Sequence, residues 1–176
     1  MPTIVGIDPS LTSLGLCAVK DGLTTGTLRV TSKGHTDDTL SQRWSRREGI
    51  IAKVEQFCTS WGPDLIVIEG PSYASKFGHP HDRSGLWWGI VSTLMPLCHI
   101  TEVPPTCRML YATGKGQAHK DFVLAAAIKR YADTDITCND IADATILCSM
   151  GSRHLGFPVE QDLPKANLKA MDKVHW

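Results

Sequence analysis

The sequence predicts a mixed α/β fold in which a five-stranded sheet, with three antiparallel strands and then parallel ones, is flanked by helices on both faces. Three β-type segments joined by short turns open the chain, and helical and β-type segments then alternate in the order β-β-β-α-β-α-β-α-α. The 176 residues suit one domain, and a hydrophobic content of 42% excludes general disorder. We expect a folded domain over residues 1–156 and a loosely packed C-terminal tail over 157–176.

The predicted strands share one feature, because two of them end on a carboxylate. The run TIVGID predicts a buried first strand that delivers Asp8 into a turn at Pro9. Strands over 14–19 and 24–31 follow, and a DG turn separates them. The continuous apolar run LIVIEGP is typical of a parallel strand, and it delivers Glu69 into a Gly-Pro turn. HITEVPP predicts a fifth strand that prolines end.

Hydrophobic residues at helical spacing predict the helices. Asp37 or Asp38 can cap the first helix, which runs to about Ser60. The other predicted helices cover 86–98, about 118–131 and about 140–152, and the segment 106–117 reads as a loop.

Composition narrows the class of protein. Lys plus Arg and Asp plus Glu both total 18, a formal net charge of zero that counts mildly against a nucleic-acid binder. Basic residues nevertheless cluster in two segments, 43–53 and 108–130. No apolar run is long enough to cross a membrane, and the six cysteines form no CxxC pair. We therefore expect a soluble cytoplasmic protein with buried thiols and no membrane partner.

Four acids carry the functional hypothesis: Asp8, Glu69, Asp140 and Asp143. Asp140 and Asp143 are three residues apart on the last predicted helix and therefore share a face. Asp8 and Glu69 end strands that we expect to be neighbours in the sheet. Three of the acids have a simpler explanation, since Asp8 and Glu69 suit turns and Asp140 suits a helix cap. Asp143, in contrast, lies on an otherwise apolar face, where an unpaired charge is costly. Four such coincidences in one chain are harder to accept than a common site.

Clustered carboxylates without histidine or thiolate favour hard cations, and we expect Mg²⁺ or Mn²⁺ with two ions in the active site. Two such ions close together can activate water and stabilise the leaving oxygen of a phosphodiester. The acids therefore predict a metal-dependent phosphodiester hydrolase.

The motifs GIDPSLTSLG, LIVIEGP, GKGQAHK and NDIADA resemble, in order and spacing, those of the RuvC-type Holliday junction resolvases of bacteria and their phages. The resemblance covers roughly residues 3–152. It implies the RNase H-like fold of the retroviral integrase superfamily, a homodimer, and Mg²⁺-dependent nicking of two opposed strands in a four-way DNA junction, as in DNA recombination and repair. The neutral charge, and Ser10 where the bacterial enzymes usually have Gly, are better suited to a phage enzyme that acts on several branched DNAs.

The resemblance also implies roles for individual residues. Asp8, Glu69, Asp140 and Asp143 match the positions that hold the metals, and Lys120 matches a lysine close to the scissile phosphate. The implied DNA contacts are Arg108, Lys115 and Lys120, together with Tyr73 or Phe77 as the aromatic residue that stacks on bases at the junction centre. We also expect the face containing Trp87 and Trp88 to contribute to dimerisation.

Three alternatives remain at this stage. A ribonuclease H or a resolvase-like RNA-processing enzyme would use the same fold and the same acids. A sugar-kinase or actin-like nucleotide binder has a first loop resembling GIDPSLTSLG, but those folds duplicate this domain and 176 residues cannot hold two copies. A non-catalytic junction-binding module would have no use for clustered negative charge facing a polyanion.

Overall fold

The computed structural model describes residues 2–71 and 79–176, and its centre is a single sheet of five strands. The strands are β1 (Thr3–Asp8), β2 (Ser13–Lys20), β3 (Leu23–Thr31), β4 (Leu65–Glu69) and β5 (His99–Val103). Their order across the sheet is β3-β2-β1-β4-β5. The first three strands are antiparallel, whereas β4 runs parallel to both β1 and β5. The predicted mixed sheet is confirmed, with β1 in the middle.

Six helices accompany the sheet in the described part of the chain. They are α1 (Leu40–Trp61), α2 (Pro80–Leu94), α3 (Pro105–Thr113), α4 (Lys120–Arg130), α5 (Asn139–His154) and α6 (Lys165–Leu168). A short 3-10 turn at Met171–Lys173 follows α6. None of the described helices is long and apolar enough to cross a membrane.

Alternate side chains of the central strand β1 pack into two separate hydrophobic cores. Val5 and Ile7 are buried with residues of α1 and α2 on one face of the sheet. Ile4 is buried with residues of α3, α4 and α5 on the other face. Because side chains of a strand alternate between its faces, one short apolar strand can anchor both layers. The prediction of helices on both faces is confirmed.

Helix α5 lies unusually close to the centre of the sheet because two strand glycines allow it. A Cβ atom at Gly6 in β1 would collide with the carbonyl oxygen of Ala144, and one at Gly15 in β2 with that of Asp140. Gly15 is also the cross-strand partner of Asp8. This approach places the first turn of α5 directly beside the end of β1.

The segment 106–117 was wrongly predicted to be a loop, because most of it forms α3. Pro105 occupies the first helical position, where its fixed φ is already suitable and its missing N–H costs nothing. Gly114, in the left-handed conformation with φ 76°, ends the helix. Two residue types usually associated with loops therefore mark the two ends of a helix here.

Two other helix starts also differ from the predictions. Helix α1 is capped by Thr39, not by Asp37 or Asp38, in a reciprocal capping box with Gln42. Helix α2 begins at Pro80, six residues before the predicted start, and ends at Leu94. Its polar first turn carries no hydrophobic periodicity that could have revealed it, although proline at the first position is a helix-start signal.

The C-terminal segment 157–176 is packed more closely than the loose tail we expected. Glu160, Asn167, Ala170 and Val174 are all buried. The Asn167 side-chain amide donates a hydrogen bond of 2.8 Å to the carbonyl oxygen of Tyr111 in α3. Much of this segment therefore belongs to the same hydrophobic core as α3, α4 and α5.

Candidate active site

Asp8 and Glu69 lie side by side at the same edge of the sheet. They directly follow Ile7 and Ile68, which are paired in the parallel ladder of β1 and β4. The end of β4 is fixed further by Trp87, whose indole N–H donates a hydrogen bond of 2.9 Å to the carbonyl oxygen of Glu69. The strand ends therefore hold both carboxylates on a rigid part of the fold, as predicted from the two apolar runs.

Asp140 and Asp143 face this edge from the first turns of α5. Asp143 is buried at 8% exposure. Asp140 does not cap the helix, because the N-cap residue is Cys138 and no side chain makes the capping hydrogen bond. Instead, Asp140 accepts a hydrogen bond from the hydroxyl of Ser13, and its Oδ2 lies 3.2 Å from Arg29 Nε. The helix-cap explanation of Asp140 is therefore wrong.

Arg108 lies among the carboxylates. Its Nε donates to Glu69 and its Nη1 donates to Asp143, so one guanidinium bridges the strand and the helix. Arg108 is 8% exposed, and no other lysine or arginine in the described residues is as deeply buried. The resemblance implied a phosphate contact for this residue, and the structure instead directs its guanidinium at the acids.

The pKa values indicate how strongly the four acids interact. The pKa of Asp8 is raised well above its ordinary value, first by burial and then by the charges of Glu69, Asp143 and Asp140, while Arg108 opposes the shift. The pKa of Asp143 is raised to about 7, mainly by burial, with Arg108 again acting in the opposite direction. Every one of the four acids therefore lies within electrostatic reach of another, and the cluster carries more negative charge than Arg108 neutralises.

This cluster fits hard divalent cations in its chemistry, since the donors are carboxylate oxygens. No described residue donates a hydrogen bond or forms a salt bridge to the half-buried Asp8 carboxylate, which is costly for its charged form. Within residues 2–71 and 79–176, however, no three acidic, histidine or cysteine side chains are arranged as a ready metal site. Instead, the positive charge between Glu69 and Asp143 is that of the Arg108 guanidinium.

One of the two predicted lysines, Lys120, lies at the border of this cluster. Lys120 is the first residue of α4, is exposed, and lies close enough to Asp143 for its charge to lower the pKa of that carboxyl. Lys115 is exposed in the connection between α3 and α4. Tyr73 and Phe77, the candidate stacking residues, lie outside the described residues.

Sequence reasoning missed Ser13 and Arg29, which engage Asp140. Arg29 Nε also donates a hydrogen bond of 2.7 Å to Ser13 Oγ, so the two residues act together. The signal lies in the strand register, because Arg29 pairs with Gly15 and Gly15 pairs with Asp8 across the sheet. Once the register is known, Arg29 is seen to lie in the same cross-strand row as Asp8.

The fold, with three antiparallel strands, two parallel strands and a long helix crossing the sheet centre, is that of solved structures of RuvC and a related Holliday junction resolvase. No protein-family model matches the chain, and no curated protein matches it in sequence.

The chain is similar to Thermus thermophilus RuvC with a TM-score of 0.70 and 16% identity, over 88% of this chain and 97% of that one. For T. thermophilus RuvC in complex with its Holliday junction substrate, the TM-score is 0.69 and the identity 14%, over 89% and 98% of the two chains. For fowlpox virus resolvase in complex with Holliday junction DNA, the values are 0.58 and 13%, over 87% and 98%.

Proposed function

We propose that this protein is a metal-dependent endonuclease that resolves four-way DNA junctions, and that it also acts on other branched DNA. The observation that carries the proposal is the convergence of Asp8, Glu69, Asp140 and Asp143 on one edge of the sheet. The fold supports it, since two of the similar solved structures hold Holliday junction DNA.

The four carboxylates would hold Mg²⁺ or Mn²⁺, two ions in each active site. Bound there, the ions would activate the attacking water and offset charge on the phosphate and the leaving oxygen. The protein's part is positioning: Asp8 and Glu69 are held by strand ends, and Gly6 and Gly15 allow α5 to bring its two acids close. Lys120, exposed beside Asp143, is placed to contact the phosphate that is cut.

DNA contacts on this proposal come from the connection between α3 and α4 rather than from α1. The arginines of α1 are largely engaged within the fold, since Arg43 forms a two-pronged ion pair with Asp82. Arg46 donates to the hydroxyl of Ser32 and to a backbone carbonyl oxygen. Lys115 and Lys120, in contrast, are both exposed, and Lys120 lies within electrostatic reach of Asp143. A protein of zero net charge that relies on few such contacts should bind DNA weakly at high salt.

Resolution by two opposed nicks requires two active sites, so we propose a homodimer. Trp88 on α2 is 62% exposed and packs edge-on against Trp87, while Met95 just after the helix is 55% exposed. Trp87 itself is buried and bonded to Glu69, so its role is structural. Of the two tryptophans that we predicted at the interface, Trp88 is the one available to a partner.

The test is cleavage of a synthetic junction with a mobile core, in Mg²⁺ or in EDTA, with products mapped on all four strands. We expect paired nicks on two opposed strands in Mg²⁺ and none in EDTA. Linear duplex, RNA–DNA hybrid and structured RNA are incubated in parallel. Faster cleavage of either RNA substrate would replace the junction with RNA as the substrate, and metal-independent cleavage would contradict the role of the acids.

A further inference from the structure

We infer that Arg108 is an exchangeable internal cation, which holds Glu69 and Asp143 together before metal binds and must release them when metal enters. The inference rests on the proposed function, because it assumes that these acids bind divalent ions. It goes beyond a phosphate contact, since it assigns Arg108 a role in a state that contains neither metal nor DNA.

The guanidinium of Arg108 bridges two of the four acids. Arg108 uses two different nitrogen atoms, Nε toward Glu69 and Nη1 toward Asp143. A planar guanidinium that binds two carboxylates in this way fixes their separation and orientation. It also occupies one oxygen of each carboxylate, Glu69 Oε2 and Asp143 Oδ1, and so reduces the set of oxygens open to a metal ion that these acids would hold.

The positive charge of Arg108 comes from a helix that carries none of the four acids. Among the described residues, Arg108 is the buried basic side chain, and it lies on α3, which is neither the helix nor a strand that carries the acids. Asp140 is paired separately with Arg29 and accepts a hydrogen bond from Ser13. Two arginines thus engage three of the four acids in the metal-free state, while Asp8 accepts no hydrogen bond from any described residue.

A divalent ion and Arg108 would compete for the same carboxylates. A divalent ion placed among these acids would be repelled by a guanidinium a few ångströms away. The ion therefore has to displace Arg108 from at least one of the two carboxylates. The freed guanidinium then carries a charge that can meet a substrate phosphate at the same edge.

Mn²⁺ binding without DNA, followed by calorimetry and by the paramagnetic resonance signal of free Mn²⁺, tests this inference. R108Q removes the competing charge and should bind Mn²⁺ roughly tenfold tighter than the wild-type protein. R108K keeps a charge and should remain close to the wild-type affinity. R46Q is the matched control, because it removes an arginine that bonds Ser32 and the carbonyl oxygen of Leu11 but none of the four acids, and its affinity should not change.

A second measurement uses the wild-type protein and does not depend on the folding of R108Q. In the ¹⁵N spectrum of arginine side chains, the Nε–H signal absent from R108K belongs to Arg108, and saturating Mg²⁺ should shift it strongly. If wild-type protein binds Mn²⁺ and cuts junctions but R108Q binds no tighter, or this signal does not move, the inference fails and the proposed function stands. If neither wild-type protein nor R108Q binds Mn²⁺ and cleavage needs no metal, both fail.

Discussion

Gly15 lies directly against the carbonyl oxygen of Asp140, so closely that no side chain fits between β2 and the first turn of α5. The contact connects the strand that pairs with Asp8 to the helix that carries two of the four acids. A residue without a side chain thus determines how near the two halves of the candidate site can come.

Gly15→Ala should therefore move the start of α5 and separate the acids. Because the collision is with backbone, we expect a loss of about 1–3 kcal/mol in the free energy of unfolding and loss of most cleavage activity. Gly49→Ala is the control: it lies exposed in α1 with open space around it, and helix propensity should stabilise it by about 1 kcal/mol. Near-normal cleavage by Gly15→Ala would show that the close approach is not needed.

Asp8→Asn should abolish cleavage while leaving junction binding intact. It should also raise the melting temperature of the metal-free protein, because it removes a half-buried carboxylate whose charge is repelled by Glu69, Asp143 and Asp140. Cleavage assays, binding by gel shift and thermal unfolding in EDTA measure the three effects. Loss of binding in parallel with loss of activity would indicate misfolding and would contradict a metal-binding role.

The stability of the metal-free protein should fall as pH rises from about 4 towards neutrality. The pKa of Asp143 is about 7 in the folded protein, well above the ordinary value of roughly 3.9 for an unfolded aspartate, so the folded state retains a proton that the unfolded state loses. That contribution is complete below the unfolded pKa and is lost as pH rises through the folded one, and the raised pKa of Asp8 acts in the same direction. Thermal unfolding in EDTA between pH 5 and pH 8, values chosen to bracket about 7, measures it. Asp143→Asn should flatten the profile, and an equally steep profile in that variant would exclude Asp143 as its source.

Glu160→Ala should destabilise the fold strongly. Its carboxylate accepts hydrogen bonds from Tyr111 at 3.0 Å and from Tyr131, and lies 3.3 Å from Arg153. Removing it leaves these buried donors unpaired, at a cost of about 3–5 kcal/mol. Denaturant unfolding is the measurement, with Glu55→Ala on the exposed face of α1 as the control, expected within about 0.5 kcal/mol of wild type. A small effect would mean that residues 157–176 contribute little to the core.

Trp88→Ala should weaken dimerisation without changing the fold of the monomer. Trp88 exposes a large aromatic surface on α2, and such residues often contribute most to an interface. Sedimentation velocity at micromolar concentration should show more monomer than wild type. Phe122→Ala is the comparison, because Phe122 is 70% exposed on α4, which packs on the opposite face of the sheet. Wild-type protein that is already monomeric would contradict the proposed dimer.

The sequence predicts the acidic edge well because local patterns determine it. Buried apolar runs that end in an acid place Asp8 and Glu69 at strand ends, and helical spacing places Asp140 and Asp143 on one face. Arg108 was harder to place, since its helix was taken for a loop and an arginine in a polar context suggests exposure. Its burial depends on acids that are distant in the sequence, which no local pattern reports.

The C-terminal segment shows a similar limit. Its sequence has no long hydrophobic period, yet Glu160 is buried among Tyr111 of α3, Arg153 of α5 and Tyr131, which directly follows α4. Arg29 and Ser13 were missed because their relation to Asp140 depends on strand register and on the depth of α5. Such relations follow from three-dimensional packing, and a single sequence gives little access to them.

The central position of β1 has a consequence for synthesis on the ribosome. Its neighbour β4 and the covering helix α5 emerge much later than β1, and pairing over such distances along the chain is slow. A nascent chain that lacks α5 has only two of the four acids of the candidate site, Asp8 and Glu69. One face of β1 is also left without its covering helix. On the proposed function, we therefore expect the polypeptide to be unable to cleave DNA until α5 has been translated. Until then we also expect it to depend on chaperones.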